Sequence, residues 1–458
     1  MTTPQRRRNG RPPSQGASLS RAAILAVALT VAGTAGAQVR IPFPPVDTLV
    51  ERPSGWQPVP PTKPSVAASF AGTKSFAGRT CLTADPEAKF RALPPALRTL
   101  SNREMLGQLL VVSFSGKTVD DAGVRATARA IARSDIGGVL YFRHNVGTAE
   151  DVRAVNHLFQ SANPFLPAMI AVDQEGGTVM RIKPSEGAPS TPSAETIAAG
   201  SLSAALDAYG DMADALADLG FTVNFGPVVD LLVNEDNPVI ARFGRSYGAD
   251  PDKVRRYANT FIRAHHDAGI ATALKHFPGH GSSTADSHER AINLDPTWSR
   301  TELIPFRDLI DDRAASMVMV GHLERQGLSG PGGLPASLSP IAIREFLRET
   351  LCFDGIVVSD DLAMQAVSSS WDAAEAVQLM IEAGGDIALL SLAGDPIAGV
   401  ERILDTLAAR ADEDPPFADQ VRHAFARVVT QKLEMADLRA AARKSRMGDA
   451  SHVVAQAK

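Results

Sequence analysis

A chain of 458 residues with 44% hydrophobic and 21% charged residues has the composition of a packed globular protein. Its net charge of −5 provides no basic field for nucleic acid. The two cysteines, Cys81 and Cys352, exclude both a disulfide-dense scaffold and a cysteine metal motif; one bridge in an oxidising compartment stays open.

Residues 1–21 are basic and polar and include Arg6-Arg7-Arg8; residues 22–33 form an apolar run, and Ala35-Gly36-Ala37 follows. Basic region, short apolar region and small-x-small site predict a secretory signal over 1–37, cut after Ala37, and a periplasmic or secreted protein. An uncleaved anchor is the alternative. Residues 38–94 are rich in proline, serine and small side chains, around Pro58-Val59-Pro60-Pro61, and read as a linker or surface strap.

From residue 95 to 435, short apolar runs alternate with amphipathic stretches of helical period. The runs fall at 109–114, 138–142, 168–172, 221–229, 272–276, 316–320, 355–359 and 386–390. The helical stretches fall at 119–133, 149–160, 202–219, 252–268, 300–311, 340–351, 372–383 and 396–410. Eight such pairs predict an α/β fold, a single (β/α)8 TIM-type barrel. A doubly wound open sheet is the alternative, but no phosphate-cradling GxGxxG turn supports it. Residues 436–458, rich in Ala, Arg, Lys and Ser, read as a frayed polar tail.

In such a barrel, reacting groups gather just past the strand ends. Here Asp173-Gln174-Glu175, Asp230, Lys275-His276, Gly321-His322 and Ser359-Asp360-Asp361 occupy those places. The densest stretch runs from Lys275 to His288 and holds His276, His280, Asp286 and His288 in a loop shaped by Pro278, Gly279 and Gly281. Asp286 stands two residues before His288. A carboxylate holding one imidazole nitrogen fixes the tautomer and raises basicity, leaving the other nitrogen to move a proton. The same loop contains donors of zinc type, but Lys275 and Pro278 crowd it and no HExxH spacing is present, so neither metal nor cofactor is expected.

The motifs Asp173-Gln174-Glu175-Gly176-Gly177, Asn224-Phe225-Gly226-Pro227, Arg245-Ser246-Tyr247, Lys275-His276-Phe277-Pro278-Gly279-His280-Gly281, Asp286-Ser287-His288 and Ser359-Asp360-Asp361-Leu362 occur in order. With them, the chain resembles the bacterial β-N-acetylglucosaminidases of glycoside hydrolase family 3. The resemblance implies Asp360 as nucleophile, His288 as general acid/base and Asp286 as the partner of His288. It further implies sugar binding by Asp173, Arg181, Arg245, Lys275 and His276, with an amino-sugar oligosaccharide as substrate and double displacement with retention as the reaction. Asp361 is read as orienting the strand end, Glu175 receives no role, and His280 and His322 are read as supporting residues.

The relatives matched to these motifs in Gram-negative bacteria are usually cytoplasmic, whereas residues 1–37 here read as an export signal, so both peptidoglycan fragments and chitooligosaccharides are expected substrates. No stable membrane insertion after signal cleavage and no nucleic-acid partner are expected. A β-N-acetylglucosaminide phosphorylase and a non-catalytic cell-wall glycan-binding barrel are the rival readings.

Overall fold

The apolar runs form short strands that close into a parallel barrel in a computed structural model, which describes residue 81 and residues 85–286, 292–330 and 333–456. The barrel strands are β1 (Leu110–Val112), β2 (Gly138–Tyr141), β3 (Met169–Val172), β4 (Val223–Asn224), β5 (Ala271–Phe277), β6 (Met317–Val320), β7 (Ile356–Asp361) and β8 (Ile387–Leu390). Each is hydrogen-bonded to its sequence neighbours, and β8 closes onto β1 with Leu110 opposite Ala388 and Val112 opposite Leu390. The helices that alternate with them are α1 (Ala122–Ala132), α2 (Ala149–Ala162), α3 (Leu202–Asp218), α4 (Pro251–Asp267), α5 (Ile304–Asp311), α6 (Ile341–Thr350), α7 (Ala373–Ala383) and α8 (Pro396–Glu413). The expected (β/α)8 barrel is the observed fold.

Parallel strands covered on both faces read as continuous apolar runs, which is why these segments carry Val, Ile, Leu and Met. Burial is complete along β1, β2, β3, β6 and β8. It is relieved only at the end of β7, where Asp360 and Asp361 become half-buried. Among the helices, α4 shows how the outer layer forms. Asp250 accepts from the Asp252 amide, Pro251 opens the first turn, and Val254, Tyr257, Phe261 and Ile262 bury one stripe. Phe261→Ala would cost about 3–5 kcal/mol by leaving a cavity in that stripe.

Two elements differ from their expected form. The run at 221–229 yields only two strand residues, because Pro227 has no amide hydrogen to offer a ladder; beyond it, Val228 makes a single bridge to Lys275. The segment α6 winds in the wider register, its Leu351 amide donating to the Phe346 carbonyl five residues back.

Residues 1–80, which contain the expected signal and most of the strap, lie outside the described residues. A helix at Pro86–Ala92 occupies the end of the strap, and Cys81 is disulfide-bonded to Cys352. The last helix, α9 (Pro415–Gln456), buries Phe417, Val421, Phe425, Val428, Lys432 and Met435 and runs on through the segment read as a tail. No helix among the described residues is long and apolar enough to cross a membrane.

Candidate active site

Four strand ends deliver charged side chains to one cavity of about 370 Å³ at the C-terminal mouth of the barrel. Asp173 follows β3 directly. The chain then makes a hairpin, Gln174–Gly176 against Val179–Met180, that presents Glu175 and Arg181. Arg245 comes from the loop after β4, Lys275 and His276 from the end of β5, Asp286 from the loop that follows, and Asp360 from the end of β7.

The floor of the cavity is an ion-pair network. Arg245 grips Glu175 with two nitrogens, Nε to Oε2 and Nη2 to Oε1, each at 2.8 Å. Lys275 Nζ lies 2.7 Å from Glu175 Oε1 and 2.8 Å from Asp173 Oδ1. Arg181 Nη2 stands 3.6 Å from Asp173 Oδ2, and its Nε is enclosed with no hydrogen-bond partner among the described residues. Burial acts to raise the Glu175 carboxyl, but the charges of Arg245 and Lys275 outweigh it and hold the group far below the usual carboxylate range. Burial likewise acts against the Lys275 ammonium, and the two carboxylates beside it outweigh that, leaving its pKa raised.

Behind this network sits a second buried pair. His276 Nδ1 is 2.7 Å from Asp230 Oδ2, and Asp230 Oδ1 accepts from the His280 amide at 2.8 Å and from the His276 amide at 3.1 Å. Burial pushes the Asp230 carboxyl up, yet His276 and these amides bring it below its ordinary value. The imidazole of His276 is thereby fixed at the cavity wall with its Nδ1 turned to a carboxylate. Burial and the neighbouring His276 depress His280 to about 4, so it is neutral at ordinary pH.

On the opposite wall, Asp360 Oδ1 accepts from the Asp361 amide at 2.8 Å. Asp361 itself is used structurally: its Oδ1 accepts from the amides of Ala363 (3.0 Å) and Ser391 (2.9 Å), tying the end of β7 to the loop after β8. His322 is wholly buried between Ser337 Oγ at 2.7 Å and the Asp361 carbonyl at 2.8 Å.

The structure thus gathers Asp360, Asp286, Asp173, Arg181, Arg245, Lys275 and His276 around one cavity. His288 lies outside the described residues. Two residues carry more than the sequence indicated. Glu175 is the bidentate partner of Arg245, and Asp230 is the anchor of His276; the only prior signal for either was its place past a strand end. Phe142 and Phe243, which line the cavity with 39% exposure at Phe243, gave no signal at all.

A closed parallel barrel whose C-terminal mouth holds a carboxylate-lined, cation-paired cavity of monosaccharide size has the form of a (β/α)8 glycoside hydrolase. Comparison with known proteins narrows the class. The profile of the glycosyl hydrolase family 3 N terminal domain matches residues 101–429, and the chain belongs to that family. It is 36% identical over 350 residues to the β-hexosaminidase LpqI of Mycobacterium tuberculosis, covering 74% of this chain and 84% of the relative. Its fold superimposes on the glycoside hydrolase family 3 β-N-acetylglucosaminidase of Paenibacillus sp. str. FPU-7 with a TM-score of 0.67 at 31% identity. That match covers 74% of this chain and 63% of the other, so this chain spans less than two thirds of that protein. A β-N-acetylhexosaminidase of Beutenbergia cavernae matches with a TM-score of 0.64 at 30% identity, over 73% of this chain and 98% of that one. The chain is a glycoside hydrolase acting on a carbohydrate substrate.

Proposed function

We propose that this protein is a retaining exo-β-N-acetylglucosaminidase that removes terminal non-reducing N-acetylglucosamine from peptidoglycan fragments or chitooligosaccharides. The observation that carries the reading is the convergence of Asp360, at the end of β7, and Asp286, on the loop after β5, on one cavity with the Asp173–Lys275–Glu175–Arg245 network. The activities named for the Mycobacterium and Paenibacillus relatives support the choice of sugar.

In the first step, a carboxylate oxygen of Asp360 attacks the anomeric carbon while protonated His288 gives its proton to the departing glycosidic oxygen. The aglycone leaves as an alcohol, and a glycosyl ester remains on Asp360. In the second step, neutral His288 takes a proton from water, and the water oxygen displaces the ester. Retained sugar, the Asp360 carboxylate and protonated His288 result. Asp286 holds His288 in the tautomer that serves both steps. Asp173 accepts from sugar hydroxyl groups, while Arg181, Arg245, Lys275 and His276 hold the remaining sugar oxygens in place. A histidine in this role also keeps a second anion away from Asp360.

Export is part of the same proposal. The Cys81–Cys352 bridge suits an oxidising compartment, in keeping with the signal read at 1–37.

Turnover of a chromogenic β-N-acetylglucosaminide tests the activity. Wild type should release aglycone at a rate independent of phosphate, giving free N-acetylglucosamine. His288→Ala should lose about 10²-fold or more on a disaccharide. Sugar 1-phosphate as product would assign the protein to the phosphorylases, and absence of turnover would make it a binding barrel.

A further inference from the structure

The loop that leaves β5 is held at its root from two sides. On one side stand residues that follow β4. The Asp230 carboxylate takes the His280 amide, Asn237 Nδ2 donates to the His280 carbonyl at 2.8 Å, and Asn234 Nδ2 donates to the Ser283 carbonyl at 2.8 Å. The approach is so close that a Cβ on Gly281 would lie 1.7 Å from the Leu231 carbonyl oxygen. On the other side stands the segment before α5. Trp298 Nε1 donates to the Pro278 carbonyl at 3.1 Å, and Glu302 Oε2 accepts from the Ser282 amide at 3.2 Å. Gly279, at φ +116°, packs against Glu302 so tightly that a Cβ there would meet the Glu302 Cβ at 2.6 Å.

Glu302 is fully buried and does not line the cavity, so it does not touch substrate. A carboxyl group is a costly means of filling such a place. An apolar residue would pack there, but it would leave the Ser282 amide without its acceptor. The hydroxyls of Ser282 and Ser283 and Glu302 Oε1 are also enclosed with no partner among the described residues. Four residues beyond Ser282 the chain reaches Asp286, and two further on His288.

We propose that Glu302 is a positioning residue: through the Ser282 amide it fixes the root of the loop that brings Asp286 to the cavity and carries His288 two residues on in sequence. The proposal rests on the acid/base role read for His288. A shift of the loop by the length of one methylene displaces the proton donor, not the nucleophile or the sugar-binding network. Damage therefore appears where protonation of the leaving group limits the rate.

The experiment compares N,N′-diacetylchitobiose, whose leaving group is poor, with a 4-nitrophenyl N-acetylglucosaminide, whose leaving group is good. Glu302→Asp, which draws the carboxylate away from Ser282, should lower kcat on the disaccharide by about 10- to 100-fold with KM little changed, and on the aryl substrate much less. Glu302→Gln keeps an acceptor oxygen in place and should restore wild-type values. In a His288→Ala background, Glu302→Asp should add no further loss. Trp298→Phe, which removes the second hydrogen bond from the same side, should give the same substrate split and decides the matter if Glu302→Asp does not fold. Equal slowing of both substrates, failure of Glu302→Gln to restore turnover, or a penalty undiminished in the His288→Ala background would overturn the proposal. If His288→Ala itself failed to separate the two substrates, the acid/base reading would fall and this inference with it. If His288→Ala separated them and the Glu302 and Trp298 variants did not, this inference alone would fall.

Discussion

Replacing Glu175 with glutamine removes one charge from a network in which every partner is buried or nearly so. The side chains of Glu175, Arg245 and Lys275 are 8%, 13% and 3% exposed. The carboxylate takes two hydrogen bonds from Arg245 and one from Lys275; after the change, Lys275 and Arg181 keep Asp173, while Arg245 loses its direct carboxylate partner and is left with the more distant charges of Asp230 and Asp173. The amide nitrogen of glutamine also has to face a cation. Breaking a buried pair from one side costs about 3–5 kcal/mol, and urea unfolding of wild type and variant measures it directly. The pH dependence supplies an internal control. The folded-state pKa of Glu175 lies below its unfolded value of about 4.3, so its contribution is fully present above that pH and is lost as pH falls through it toward the folded value. Wild type should therefore lose part of its advantage over Glu175→Gln between about pH 5 and pH 3, where the unfolded carboxyl takes up its proton. A cost under about 1 kcal/mol, the scale of an exposed ion pair, or an advantage that grew on acidification, would refute the electrostatic account of the cavity floor.

Glu302 has the opposite sign. Burial, with Asp230 adding to it, pushes its carboxyl up to about 7, so its contribution is present below about 4.3 and is lost as pH rises through 7; Glu302→Gln should gain on wild type by up to about 3 kcal/mol at pH 8 relative to pH 4 in urea unfolding. Reduction of Cys81–Cys352, which closes a separation of 271 residues, should cost about 2–4 kcal/mol in a thermal melt run with and without reductant, with activity of the folded enzyme kept. Asp361→Asn keeps the acceptor for the Ala363 and Ser391 amides and should stay within about tenfold of wild-type turnover, whereas Asp361→Ala should lose about 1–3 kcal/mol of stability.

The barrel was legible because its strands are buried on both faces and its helices on one, two patterns that composition cannot counterfeit over eight repeats. The short β4 was misjudged in length because an apolar run ignores what Pro227 takes from a ladder. Asp360, Asp173 and Lys275 were legible as charges closing apolar runs. Glu175 was not, since its worth depends on Arg245 and Lys275, 70 and 100 residues on, arriving at the same point. Glu302 was hidden for the same reason: nothing in Thr301-Glu302-Leu303 distinguishes a buried carboxyl under a loop from an exposed one in a first helical turn. The pairing of Cys81 with Cys352 likewise needed the fold.

The central claim is that Asp360 becomes covalently attached to the sugar, and trapping that intermediate tests it most directly. Incubation with a 5-fluoro N-acetylglucosaminyl donor, followed by proteolysis and mass spectrometry, should place one glycosyl adduct on Asp360 in the peptide containing Ser359-Asp360-Asp361, and Asp360→Asn should show no adduct while remaining folded. An adduct on Asp361, or turnover in Asp360→Asn close to that of wild type, would contradict the account.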